Sequence, residues 1–218
     1  MNDIHENDEN NESHGNDDSQ ENPRGIGDLL GVAAERAVPV VRALPDDRLE
    51  AATPCAEYDV KALVNHVFQV MEQFQRLAAK QDSDFTQSAA DRVAEGPDWR
   101  ERFGEEARKL VAAWSAPGAE EGKTGAMNMP AATVGSMVLL DLTVHVWDLA
   151  RATGQEYVPE GEALALVERL AGTVAELAPT ARSMGVFGEA VPEPADASAF
   201  ERLLAATGRD PRWAPPAR

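Results

Sequence analysis

The residues that could carry chemistry outside the extreme N-terminus are few, and their spacing narrows what they can do. Of the four histidines, His5 and His14 lie in a polar terminal stretch, which leaves His66 and His145 for the rest of the chain. His66 falls between members of the apolar series Leu63, Val67, Val70, Phe74 and Leu77, whose spacing is that of one helix face. His145 follows Asp141 by four residues inside the series Val134, Val138, Leu142, Leu149 and Ala152. Residues four apart on a helix stack one turn above the other, so Asp141 and His145 share a side. An ionised carboxylate on an inner face needs a partner, and a divalent cation can hold a carboxylate and neutral imidazoles together. Two ligands from one helix and His66 from a facing one would leave positions for water or substrate, as in catalytic zinc sites. A buried, hydrogen-bonded Asp–His couple fits the same spacing, so both readings stay open from spacing alone.

These residues need helices to position them, and the composition supplies helices. Hydrophobic residues make up 43% of the 218 and aromatics 6%, with Ala, Leu and Val ahead of Ile, Tyr and Phe, a balance that favours an all-α fold. Residues 1–24 carry eight acidic side chains against one basic and offer little to bury, so 1–24 is expected to be a disordered acidic tail and 25–218 a single helical domain. Helices are expected from Ile26 to Ala43, from an Asp59 cap to Lys80, and from an Asp98 cap to Trp114. Three more run from Ala132 to Thr153 with Gly154 closing it, from Glu160 to Ala178, and from Ala197 to Thr207. The segments 81–97, 122–130 and 185–194 read as irregular.

The net charge of −18, of which −11 belongs to the body, opposes binding to phosphate backbones and anionic lipid surfaces. Neither a nucleic-acid nor a membrane partner is therefore expected. With a single cysteine, no secretory signal pattern and no run of about 18 apolar residues, the expected location is cytoplasmic.

Three strings, TPCAEYDVKALVNHV at 53–67, DLTVHVWDLARATGQ at 141–155 and VFGEAVPEPADASAFERLLAATGRDPRW at 186–213, resemble the DinB-like superfamily. The resemblance is to the metal-binding domain of mycothiol-dependent maleylpyruvate isomerases and their uncharacterised actinobacterial relatives. It implies a DinB-like four-helix bundle with additional C-terminal helices. It also implies a divalent metal, zinc first among zinc, nickel, manganese and iron, held by His66, Asp141 and His145. Two departures stand out: the isomerase has a Glu where this chain has Asp141, and it continues into a further C-terminal domain beyond the point reached here by Trp213.

The activity implied by the resemblance is that of a metal-dependent transferase or isomerase. It would use a low-molecular-weight thiol, mycothiol by the resemblance, with an electrophilic small-molecule partner, as a monomer or homodimer. Two other readings are a non-catalytic metal- or ligand-binding bundle and a metallohydrolase that uses metal-bound water. Among neighbouring residues, Asp148 and Arg151 are expected to pair with each other on the helix surface, the alternative being that Asp148 orients His145. Trp147 and Asn65 should face away from the site, and Cys55 lacks a further histidine to act as its base.

Overall fold

The computed structural model describes residues 24–216 apart from 127, 184, 186 and 194; the expected acidic tail lies outside the described residues except for Arg24. Among the described residues six α-helices run in chain order: α1 (Ile26–Arg42), α2 (Val60–Ala78), α3 (Trp99–Trp114), α4 (Ala131–Thr153), α5 (Ala163–Ser183) and α6 (Ala199–Ala206), with a short 3-10 turn at Asp46–Arg48. Helices α1 to α4 form the bundle, with α1 and α2 each packed against both α3 and α4. Helix α5 lies against α1 and α4, and α6 lies on α5. The fold is thus the expected all-α, DinB-like bundle with additional C-terminal helices.

Local chemistry explains the boundaries that matter for the site. The Asp59 carboxylate accepts the Ala62 amide at 2.7 Å and so caps α2, which fixes the rotation of the next turn and with it His66. Gly154, at φ 74°, closes α4 in the left-handed conformation that glycine adopts without steric cost. Asp98 occupies the N-cap of α3 without bonding an amide there; its carboxylate turns to Arg102 Nε at 3.6 Å instead.

Helix α4 is buried on almost every side because it touches α1, α2 and α5 at once. By length and composition it is the one helix among the described residues apolar enough to cross a membrane, but 78% of its most apolar stretch is buried inside the fold. A helix apolar all round is what a central position demands. Gly135 lets it approach closely: a Cβ there would lie 2.8 Å from the Trp114 ring and 2.9 Å from Ile26. The roughly 1 kcal/mol that glycine costs a helix interior is offset by this close packing.

Two features depart from the expected layout. Within 122–130, Lys123–Thr124 (β1) and Met129–Pro130 (β2) form a two-stranded antiparallel ladder, pairing Lys123 with Pro130 and Thr124 with Met129. Two-residue strands are too short to show alternation. Helix α5 continues past Ala178 through Pro179 to Ser183, carrying the proline inside its last turns.

Candidate metal centre

His66 on α2 and Asp141 and His145 on α4 all line one cleft of about 580 Å³. The two imidazoles meet edge to face, with ring centroids 5.0 Å apart. His145 Nε2 lies 3.9 Å from Asp141 Oδ1. Ligand bonds of about 2.0–2.2 Å set donor atoms of one tetrahedral ion roughly 3–4 Å apart, so this pair is close enough to share a cation, whereas the donor atoms of His66, Asp141 and His145 do not all lie within 4.8 Å of one another.

Both histidines have their other nitrogen engaged. His145 Nδ1 is 3.1 Å from Asp148 Oδ2, and His66 Nδ1 is 3.5 Å from the Tyr58 hydroxyl, whose ring stacks on the imidazole at 4.9 Å. In the tautomers that place the proton on Nδ1, each ring donates to its partner and keeps an Nε2 lone pair for a ligand. A carboxylate behind a histidine is the usual device for orienting a metal ligand. The expected Asp148–Arg151 pair does not form: Arg151 donates to the Trp213 carbonyl, its Nε at 3.2 Å. Asp148, with 0% of its side chain exposed, faces inward to His145 and accepts from Arg209 Nη2 at 3.3 Å.

Arg209 comes from the far end of the chain. The segment after α6 is held by the Arg209 amide donating to the Leu204 carbonyl at 2.9 Å and by a tight crossing at Gly188. Gly208 stands at φ 87°, where a Cβ would lie 2.9 Å from Gly188 Cα. That crossing carries Arg209 into the cleft, its side chain 12% exposed.

Electrostatics follow from this enclosure. Burial first, then the charges of His145 and Arg209, lower the His66 imidazole to about 4, so at neutral pH it presents a lone pair. Burial pushes the Asp141 carboxyl up, against the opposing pull of His145 and Arg209. Its side chain retains 36% exposure, and the residue lines the cleft. A carboxyl whose charge is penalised by burial is one that a bound cation would relieve.

Cys55 also reaches the cleft. Thr53 Oγ1 accepts the Cys55 amide at 3.1 Å and lies 2.8 Å from the Tyr58 carbonyl, which fixes the 53–58 loop as one wall. Ligand atoms of Cys55, His145 and Asp148 lie within 4.8 Å of one another, close enough to hold an ion, and this is the set that meets that spacing among the described residues. Burial raises the Cys55 thiol, more than Arg209 lowers it. It therefore stays protonated at neutral pH and is a poor nucleophile.

Trp147 and Asn65 face elsewhere, as expected. Trp147 is buried beside a separate cavity, and Asn65 bonds Asp91 and the Val93 amide beneath the 81–97 strap. Sequence reasoning missed Tyr58 and Arg209 as cleft residues. Tyr58 stands eight positions before His66 on the loop that enters α2, a relation no helical period reports. Arg209 lies 61 residues from Asp148, and its signal was present only as part of the string GRDPRW.

Comparison with known proteins agrees with this picture. Residues 30–150 match the model of the mycothiol maleylpyruvate isomerase N-terminal domain. Two uncharacterized proteins of Mycobacterium tuberculosis, from strains CDC 1551 / Oshkosh and H37Rv, are each 31% identical over 173 residues. Each of these alignments spans 76% of this chain and 87% of the relative. No solved structure matches significantly. Helical bundle, cleft and sequence match together place the chain in the mycothiol maleylpyruvate isomerase N-terminal domain family.

Proposed function

We propose that the cleft holds a divalent cation, zinc in the first instance, through Nε2 of His66, Nε2 of His145 and the Asp141 carboxylate. It would act on a low-molecular-weight thiol of the mycothiol type in a transfer to, or isomerisation of, an electrophilic small molecule. The supporting observation is that both imidazoles have Nδ1 beside a protein partner while their rings meet in the cleft beside Asp141. When bound, such a cation supplies Lewis acidity that makes a thiol available as thiolate at neutral pH.

The Cys55/His145/Asp148 set is the weaker holder. Asp148 already faces His145 Nδ1 and the Arg209 guanidinium, and a cation between them would meet that fixed positive charge. Asp148 orients His145 from behind, and Arg209 compensates the buried carboxylate. Tyr58 stacks on the His66 ring and places its hydroxyl 3.5 Å from Nδ1. Its hydroxyl is pushed up by burial, then by the neighbouring charges of Glu57, Cys55 and Asp141, and so keeps its proton. The reaction is assigned to the cytoplasm, where low-molecular-weight thiols are held reduced, and to a monomer or homodimer.

Cobalt(II)-loaded protein tests this reading. Addition of mycothiol should produce a sulfur-to-cobalt charge-transfer absorption that His145→Ala abolishes. A spectrum unchanged by mycothiol, with turnover of electrophiles that needs no thiol, would replace the reading by a metal-assisted hydrolase.

A further inference from the structure

A second cavity, of about 380 Å³, lies where the end of α4 meets α5 and α6. Trp147 stands two residues after His145, a rotation of about 200° around the helix, so this cavity is on the side of α4 away from the metal centre. No residue lines both cavities. Trp147, Val167, Phe200 and Leu204 are buried and form its apolar wall.

Three observations set this cavity apart from a packing gap. Tyr157 lines it, is 8% exposed and rests against Phe200 at 5.9 Å, yet its hydroxyl makes no hydrogen bond to any described residue. That hydroxyl is therefore open to a ligand as a donor. Arg151 lines the same cavity and commits Nε and Nη2 to the Trp213 carbonyl, which leaves Nη1 as a donor. Finally, Val158 and Leu164, 54% and 52% exposed, are two of the three large exposed hydrophobic side chains of the described residues, and both stand on this cavity. Exposed apolar groups gathered at the mouth of an apolar cavity mark a binding site more often than chance exposure.

We propose that this cavity is a second small-molecule site, which takes an uncharged ring compound bearing one acceptor oxygen. The aromatic and aliphatic walls cover the ring, and the Tyr157 hydroxyl with Arg151 supplies donors to the oxygen. Neither sign of charge is selected, because Arg151 and the acidic Glu156 and Glu201 line the same cavity. The volume lies within the roughly 300–1,000 Å³ range of small-molecule sites.

Titration of the isotope-labelled full chain with acetophenone, followed by amide resonances, tests the site, with ethylbenzene as the oxygen-free control. Both should give saturable shifts around Trp147, Tyr157 and Phe200, acetophenone at lower concentration. Tyr157→Phe should weaken acetophenone roughly 3–10-fold, the worth of one hydrogen bond, and leave ethylbenzene unchanged. Ala199→Trp, at an exposed position on the cavity, should block both, and Leu164→Trp repeats that test at a second exposed position should the first variant be unstable. Absence of saturable shifts, or acetophenone binding unaltered by the filling substitutions, would overturn the site. Acetophenone binding unaltered by Tyr157→Phe would overturn the acceptor assignment.

Discussion

Replacing Asp148 by Asn tests whether the carboxylate behind His145 organises the site. The substitution keeps the shape and leaves a carbonyl oxygen that can still accept from His145 Nδ1 and Arg209, but it removes the charge that faces the guanidinium at 3.3 Å. Asp148 is fully buried and Arg209 nearly so, so water can replace little of the lost interaction. Hydrogen bonds to charged groups contribute about 1.5–3 kcal/mol, and removing one partner of a buried pair costs about 3–5 kcal/mol. Because the amide preserves the contact geometry, the expected destabilisation of the metal-free protein is roughly 1–3 kcal/mol. For a domain of this size that corresponds to a fall in Tm of roughly 2–10 °C. Loss of a group that orients a metal ligand typically weakens metal affinity about 10–100-fold. Urea unfolding of the metal-free protein and a competitive zinc titration measure the two effects. A double-mutant cycle with Arg209→Gln should give a coupling of at least about 1 kcal/mol. Unchanged stability and unchanged zinc affinity in Asp148→Asn, with no coupling to Arg209, would refute the reasoning.

Asp141→Glu restores the residue type that the family resemblance leads one to expect and should retain metal, whereas Asp141→Ala should weaken it by at least about tenfold; isothermal titration separates the two. His66 links stability to pH. Its imidazole titrates near 6.5 when unfolded and at about 4 in the fold, so the unfolded state binds more protons between those values. Stability of the metal-free protein should therefore rise from pH 4 to 6.5 and level off above, by roughly 1–2 kcal/mol after allowance for partial exposure. The raised Asp141 carboxyl contributes with the opposite sign, so the comparison to make is with His66→Gln, in which the His66 part of the slope should vanish. Gly208→Ala forces a side chain into a left-handed backbone position against Gly188 and should cost about 1–3 kcal/mol. It should also abolish the Asp148–Arg209 coupling, which the same double-mutant cycle reads.

Much of the frame was legible because each helix carries its own signals. Asp59 caps α2 and Gly154 closes α4 where side-chain chemistry says they should. The apolar stripes that place His66 and His145 in one cleft are periodic over several turns. What was not legible depends on contacts that no local pattern encodes. Asp98 is the exception among local signals: it stands at the expected cap position, but its backbone at φ −85° and ψ 9° is not the extended one of a cap, and its carboxylate turns to Arg102. Asp148 could reach Arg151 along its own helix, yet its Oδ2 accepts from Arg209 of the C-terminal segment while Oδ1 has no partner among the described residues, a choice set by the Gly188–Gly208 crossing. Cys55 joins His145 and Asp148 through the folding of the 53–58 loop, and helical spacing says nothing about loops.

The most direct measurement of the central claim is elemental analysis of the untagged full chain beside its His66→Ala variant. The account predicts about one divalent ion per chain, lost in the variant. Because His5 and His14 remain in both proteins, the difference reports the cleft alone. Equal occupancy in the two proteins, or no ion in either after incubation with zinc or nickel, would contradict it.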